Sequence, residues 1–99
     1  MTEKPQFHAL LAPPDALEKG GYEVLRASVV DGAVSVALRR SFDDPQTWGV
    51  LFVDLARQAA RIYAAETGIG EDEAMALIRA GIEAELDRPA DSSSTRSVN

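Results

Sequence analysis

Three side chains in the first half of the chain have the types and spacing to bind an anion. Arg26 and Arg39 fall diagonally on one face of a predicted β-hairpin, and Tyr22 lies on the same face. Arginine guanidinium groups bind carboxylates and phosphates through paired hydrogen bonds. We therefore take Tyr22, Arg26 and Arg39 as a candidate ligand or partner surface. The alternative is a solvated strand face that discourages aggregation, or one that forms salt bridges to the acidic last helix of another subunit.

No other group of residues in the sequence indicates catalysis or a cofactor site. The sequence has no cysteine, which excludes disulfides, thiolate metal sites and cysteine nucleophiles, and it has a single histidine, His8. Asp43 and Asp44 are adjacent, but no carboxylate run at calcium-loop spacing accompanies them, so we interpret Asp44 as a helix cap. We predict no catalytic, metal-binding or cofactor-binding residue, and the lack of a catalytic constellation argues against an enzyme.

Composition limits the classes of partner. The chain has 99 residues, enough for one domain, with 10 Lys and Arg against 16 Asp and Glu and a net charge of −6. An acidic chain is a poor ligand for phosphate backbones, so nucleic acid is not expected as a partner. No apolar run reaches the roughly 18 residues that a membrane span needs, and the first twenty residues lack a secretory pattern. We expect a cytoplasmic protein without a membrane partner.

A β-hairpin is the clearest element in the sequence. Alternating runs over residues 22–30 and 33–41 flank Asp31-Gly32, a pair typical of a type I′ turn. The two-residue loop places Val30 opposite Ala33 and sorts the side chains between two faces. One face, called the aliphatic face below, contains Leu25, Ala27, Val29, Val34, Val36 and Leu38. The other, the mixed face, contains the candidate residues.

Two helices follow the hairpin. Asp44-Pro45 is a favourable start and Gly68 a favourable end for the first helix, and the second begins near Gly70 and ends at Arg88-Pro89. One side of the first helix, the large-residue arc, consists of Trp48, Leu51, Phe52, Leu55, Ala59, Ile62 and Tyr63. The adjoining small-residue arc consists of Gly49, Val53, Ala56, Ala60 and Ala64. Because these arcs exceed half the circumference, we expect the helix to be covered on two sides, and the two helices to roof the aliphatic face. Glu85 is a candidate hydrogen-bond acceptor for Trp48 or for the free amides at the start of the first helix.

The predicted fold class is α+β, an antiparallel β-hairpin followed by two antiparallel α-helices (ββαα). A two-stranded hairpin is marginal alone, so we expect completion by dimerisation or by a short strand over residues 7–11. A symmetric homodimer is favoured over a monomer. We divide the chain into a Pro-containing N-terminal arm (1–20, with a short helix over 14–19), a single α+β domain (21–88) and a disordered tail (89–99).

Several short pieces within residues 21–64, and the glycine just before them, together resemble a known family. They are Gly20-Gly21, Glu23-Val24-Leu25-Arg26, Asp31-Gly32, Asp43-Asp44-Pro45 and Trp48-Gly49. The chain resembles a small proteobacterial family described only as a domain of unknown function. The resemblance implies a stand-alone cytoplasmic bacterial domain and supplies no activity.

Two functions follow from the sequence. The first is a non-catalytic homodimeric interaction or regulatory module, with an unidentified protein as a further candidate partner. The alternative is a small anionic-ligand-binding protein that uses the Arg26/Arg39 face of the hairpin.

Overall fold

The order of elements agrees with the predicted ββαα arrangement. A computed structural model describes residues 4–88 and the backbone of residues 94–97. The elements are α1 (Pro14–Lys19), β1 (Leu25–Val30), β2 (Ala33–Leu38), α2 (Gln46–Thr67), α3 (Glu71–Leu86) and β3 (Ser94–Ser97). The α+β class and the short helix in the N-terminal arm are both confirmed.

The hairpin has the predicted turn and register. Asp31 and Gly32 have φ angles of 51° and 78°, as a type I′ turn requires. Val30 pairs with Ala33, and the antiparallel pairing continues to Leu25 opposite Leu38. The strands are shorter than the alternating pattern suggests, although the Arg39 N–H still donates to the Val24 carbonyl at 3.0 Å. The division into an aliphatic face and a mixed face therefore holds.

The third strand comes from an unexpected part of the chain. β3 lies parallel to β2, with Ser35 opposite Ser94, and the sheet order is β1-β2-β3. The candidate strand over residues 7–11 does not form, and these residues have no regular secondary structure. β3 falls inside the predicted disordered tail, whose residues 89–93 and 98–99 lie outside the described residues. β3 is paired with the free edge of β2 by main-chain hydrogen bonds, which do not depend on apolar side chains. The polar composition of the tail therefore gave no indication of a strand.

Both long helices begin and end on the signals in the sequence. The Asp44 carboxylate accepts a hydrogen bond from the Gln46 N–H at 2.9 Å, which satisfies a free amide at the start of α2. Gly68 ends α2 in the left-handed conformation with φ of 80°. α3 has an acidic first turn, where the helix dipole favours carboxylates, and it ends at Leu86, two residues before the predicted end.

Alanines bring α2 and α3 together. Ala56 and Ala60 of α2 and Ala74 of α3 are the buried apolar side chains of the described residues, with exposures of 7%, 1% and 4%. Small side chains let two helix backbones approach closely. The small-residue arc of α2 therefore faces α3, as one of the two predicted covers.

The predicted roof over the aliphatic face is wrong within one chain. Across the described residues, no Cα atom of α2 or α3 lies within 8 Å of a Cα atom in the three strands. Val29 and Val34 are exposed, and so are four members of the large-residue arc, Phe52, Leu55, Ile62 and Tyr63. The radius of gyration is 16.1 Å, against about 13 Å for a compact chain of this length. The helical hairpin closes on itself and leaves the sheet uncovered.

Candidate functional site

A tight turn follows β2 and positions the candidate site. The Phe42 N–H donates to the Arg40 carbonyl at 2.6 Å, which closes a three-residue turn around Ser41. Ser41 has φ of 57°, in the left-handed region, as the central residue of a strained γ-turn does. Such a conformation in a residue with a Cβ costs free energy and persists only where its surroundings enforce it.

Trp48 helps to hold the strained turn at Ser41 in place. Its indole Nε1–H donates to the Arg40 carbonyl at 2.9 Å. Its ring lies 5.5 Å from the Phe42 ring in an edge-on arrangement and 5.7 Å from the Phe52 ring. The first turn of α2 thus holds the turn after β2 from one side. The proposed pairing of Trp48 with Glu85 is wrong, since Glu85 instead accepts a hydrogen bond from Arg88 at 2.9 Å.

A cleft opens beside this turn. It has a volume of about 460 Å³ and is lined by Tyr22, Arg39, Arg40 and Ser41. The Arg39 Cζ atom lies over the Tyr22 ring, 5.1 Å from its centroid, in a cation–π contact. Two of the four lining residues are cationic and none is acidic, although the whole chain carries a net charge of −6. Arg39 therefore supplies a guanidinium to a cleft whose lining residues include no carboxylate.

Two polar atoms of the residues that line the cleft lack a hydrogen-bond partner among the described residues. Arg39 Nε and Ser41 Oγ are both closed to solvent, and neither has a partner in the structure. Buried polar atoms are nearly always hydrogen-bonded, because an unpaired one loses its bonds to water without replacement. An acceptor from outside the chain would complete both.

Arg26 does not belong to the cleft. Its Nε and Nη2 atoms donate to the two carboxylate oxygens of Glu23, each at 2.9 Å. Its Cζ atom lies 5.3 Å from the centroid of the Phe7 ring. The structure thus brings Tyr22 and Arg39 together but separates Arg26 from them. Arg40 and Ser41 are lining residues that the sequence did not single out, and the strained φ of Ser41 has no signature in the sequence.

The described residues contain no group of three side chains placed to hold a metal ion. The predicted absence of catalytic and cofactor-binding residues stays a prediction. Among the described helices, none has both the length and the apolar composition to cross a membrane.

Comparison with known proteins places the chain in a family. Residues 9–90 match the family described as Domain of unknown function (DUF5076). The chain belongs to the DUF5076 family. A solved structure from the photosynthetic bacterium Rhodopseudomonas palustrus CGA009, described as a "putative pyruvate dehydrogenase", is 46% identical. The match covers 94% of this chain and 96% of that chain, with a TM-score of 0.69. No curated protein matches. The predicted resemblance is confirmed, and the DUF5076 family brings no specific activity with it.

Proposed function

We propose that this protein is a non-catalytic homodimeric interaction or regulatory module of the cytoplasm. The observation that supports it is the pair of open apolar surfaces in one chain. Val29 and Val34 of the aliphatic face are 76% and 62% exposed, and Ile62 of the large-residue arc is 55% exposed. Large aliphatic and aromatic groups left in water at this density mark an interaction surface.

The exposed area is large enough for a stable dimer. The chain exposes 8928 Å², whereas a compact monomer of 10.6 kDa would expose about 5,500 Å². A standard protein interface covers only about 800 Å² on each partner, and obligate homodimers cover more. Residues 4–23, which are all exposed, account for part of this difference, and the apolar surfaces of the hairpin and α2 are the part that the proposed partner would cover.

A second copy of this chain fits the two surfaces. Each copy has one flat aliphatic face on its hairpin and one ridge of large side chains on α2. In a twofold arrangement, the hairpin of one copy packs on α2 of the other, and the same contact occurs twice. The expected second cover of α2 is then supplied by the partner rather than by the chain itself.

Sedimentation velocity and light scattering test the dimer. We expect a species of twice 10.6 kDa at micromolar protein concentration, with dissociation only on dilution. A species of single-chain mass throughout that range would overturn the proposal.

A second candidate function is the binding of a small anion at the cleft. The unpaired donors Arg39 Nε and Ser41 Oγ favour it. The description of the solved relative names an enzyme of pyruvate, which is itself a small carboxylate. A thermal shift with carboxylates or phosphate esters, absent with their neutral analogues, would support this function.

A further inference from the structure

We infer that Arg39 Nε and Ser41 Oγ are the ligand donors of a site for a small organic oxyanion, with Tyr22 positioning the guanidinium. The inference rests on the second candidate function and names the atoms and the ligand class. It does not require Arg26, which the mixed face of the hairpin also carries.

The contacts of Arg39 leave a donor for the ligand. Its cation–π contact with Tyr22 occupies the charged group without using any N–H. Nε therefore retains a donor that no acceptor among the described residues uses. Arg26 is the contrast on the same face, because both carboxylate oxygens of Glu23 already accept its N–H groups. A guanidinium with an unpaired N–H group is the one that can still bind a carboxylate or phosphate.

The backbone at Ser41 gives an independent indication. Among the described residues, Asp31 and Ser41 are the two non-glycine residues with positive φ. The type I′ turn accounts for Asp31, and aspartate tolerates this region. Glycine would adopt the Ser41 conformation without strain, so the hydroxyl is what serine adds at this position. That hydroxyl has no hydrogen-bond partner in the part of the chain that the structure describes.

Size and charge define the ligand class. The cleft volume of about 460 Å³ lies within the roughly 300–1,000 Å³ of small-molecule sites. A bare inorganic ion would fill little of it, whereas a carboxylate or phosphate ester with a short carbon skeleton would also contact the Tyr22 ring. Both classes offer the acceptor oxygens that two donors require.

The single tryptophan of the chain supplies the readout. Trp48 donates to the Arg40 carbonyl beside the cleft. Since solvent does not reach Arg39 Nε or Ser41 Oγ, binding requires a small side-chain movement next to this indole. We therefore propose to titrate the full chain by Trp48 fluorescence with matched pairs: propionate against propionamide, and glycerol phosphate against glycerol. Inorganic phosphate is a fifth ligand. Binding of one charged member but not its neutral partner supports the site, and the member that binds identifies a carboxylate or a phosphate ester.

Four variants localise the binding. Arg39→Gln should weaken the charged ligand about tenfold or more, and Ser41→Ala about threefold to tenfold, as expected for charged and neutral hydrogen bonds. Arg26→Gln, the matched control on the same face, should change the affinity less than about twofold. Ser41→Gly should raise thermal stability by removing strain while weakening the ligand, which a purely structural serine would not do.

The outcomes separate the two levels of the proposal. If charged ligands bind but Arg39→Gln and Ser41→Gly leave their affinity unchanged, these donors are wrong and anion binding stands. If Arg26→Gln weakens binding as much as Arg39→Gln, the assignment to the cleft also fails. If no charged ligand is preferred over its neutral partner at millimolar concentration, both the site and the second candidate function fall. The homodimer is measured separately and is unaffected by any of these results.

Discussion

At the tip of the hairpin the aliphatic face is more exposed than the two arginines of the mixed face, whereas Leu25, Val36 and Leu38 nearer its base are half-buried. On the mixed face, Arg26 and Arg39 are half-buried and contact partners from their own chain. On the aliphatic face, Val29 and Val34 are exposed to solvent although they carry no polar atom. Arg26 is therefore paired within one chain, whereas Arg39 has a ring contact but an unpaired Nε, and the valines at the tip stay exposed.

The difference follows from the sequence distance to each partner. Arg26 forms an ion pair with Glu23, three residues away, and Arg39 forms a cation–π contact with Tyr22 on the other side of the hairpin. A cover for the aliphatic face has to come from a separate element, and α2 closes on α3 instead. α2 shows the same contrast, because its alanines are buried against α3 while Phe52 and Ile62 are 50% and 55% exposed. The proposed dimer would cover the open apolar surface on both halves.

The largest predicted effect comes from a substitution at the tip of the hairpin, where the two faces can be compared at neighbouring residues. Val29→Glu places a carboxylate on the aliphatic face, whereas Val30→Glu places one on the mixed face one residue away. We expect Val29→Glu to weaken the dimer at least about 100-fold, because burying an unpaired charge costs several kcal/mol. Val30→Glu should shift it by less than about 0.5 kcal/mol, as an exposed substitution does. Analytical ultracentrifugation of the two variants measures both constants.

Equal behaviour of the two variants would contradict the assignment of the aliphatic face to the interface. Equal weakening would place the whole tip in the contact, and no weakening would leave the hairpin outside it.

The second prediction applies to the two sides of α2. Ala60 is 1% exposed against α3, so Ala60→Leu should lower the free energy of unfolding by about 1–3 kcal/mol through overpacking. Ala65 lies on the same helix and is exposed. Ala65→Leu should change the stability by less than about 0.5 kcal/mol. Urea unfolding at one fixed protein concentration compares them, and a large cost at Ala65 would show that a partner covers that side.

Local features of the fold could be predicted from the sequence because each depends on a few neighbouring residues. Asp31-Gly32 determined the turn and with it the register of every pair in the hairpin. Asp44 and Gly68 determined the ends of α2. The alternation assigned the hairpin side chains to two faces with the correct register, and the small-residue arc faces α3 as predicted.

Features that depend on distant contacts could not be predicted. Amphipathic patterns show that a face requires a cover, but they do not name the element or the chain that covers it. β3 was missed because edge pairing uses main-chain groups that every residue has. In the candidate site, Tyr22 and Arg39 followed from the register. The separation of Arg26 depends on Glu23 and Phe7, and Ser41 depends on a backbone angle, so neither was visible.

The third prediction tests the turn that sorts residues between the two faces. Gly32 has φ of 78° and open space around its Cα, so Gly32→Ala meets no side chain and should cost about 1–2 kcal/mol from backbone strain alone. Gly49 also has open space but lies within α2. Gly49→Ala should stabilise the protein by about 0.5–1 kcal/mol, because alanine favours the helix. The midpoint of urea unfolding distinguishes the signs, and a loss at Gly49 would place a partner against that position.

The smallest predicted effect concerns the ion pair that Glu23 forms with Arg26 of the mixed face. Glu23→Gln removes one charge of the Glu23–Arg26 pair, whose side chains are 56% and 39% exposed. Solvent screens such a pair, so we expect a loss of less than about 1 kcal/mol and no change in the dimer constant. Glu18→Gln, an exposed acidic residue in α1 without an ion pair to Arg26, removes the same charge and is the control. If Glu23→Gln weakened the dimer as strongly as Val29→Glu does, the mixed face would belong to the interface as well. Both faces would then contact the partner, and the contrast between them would not depend on the contacts available within one chain.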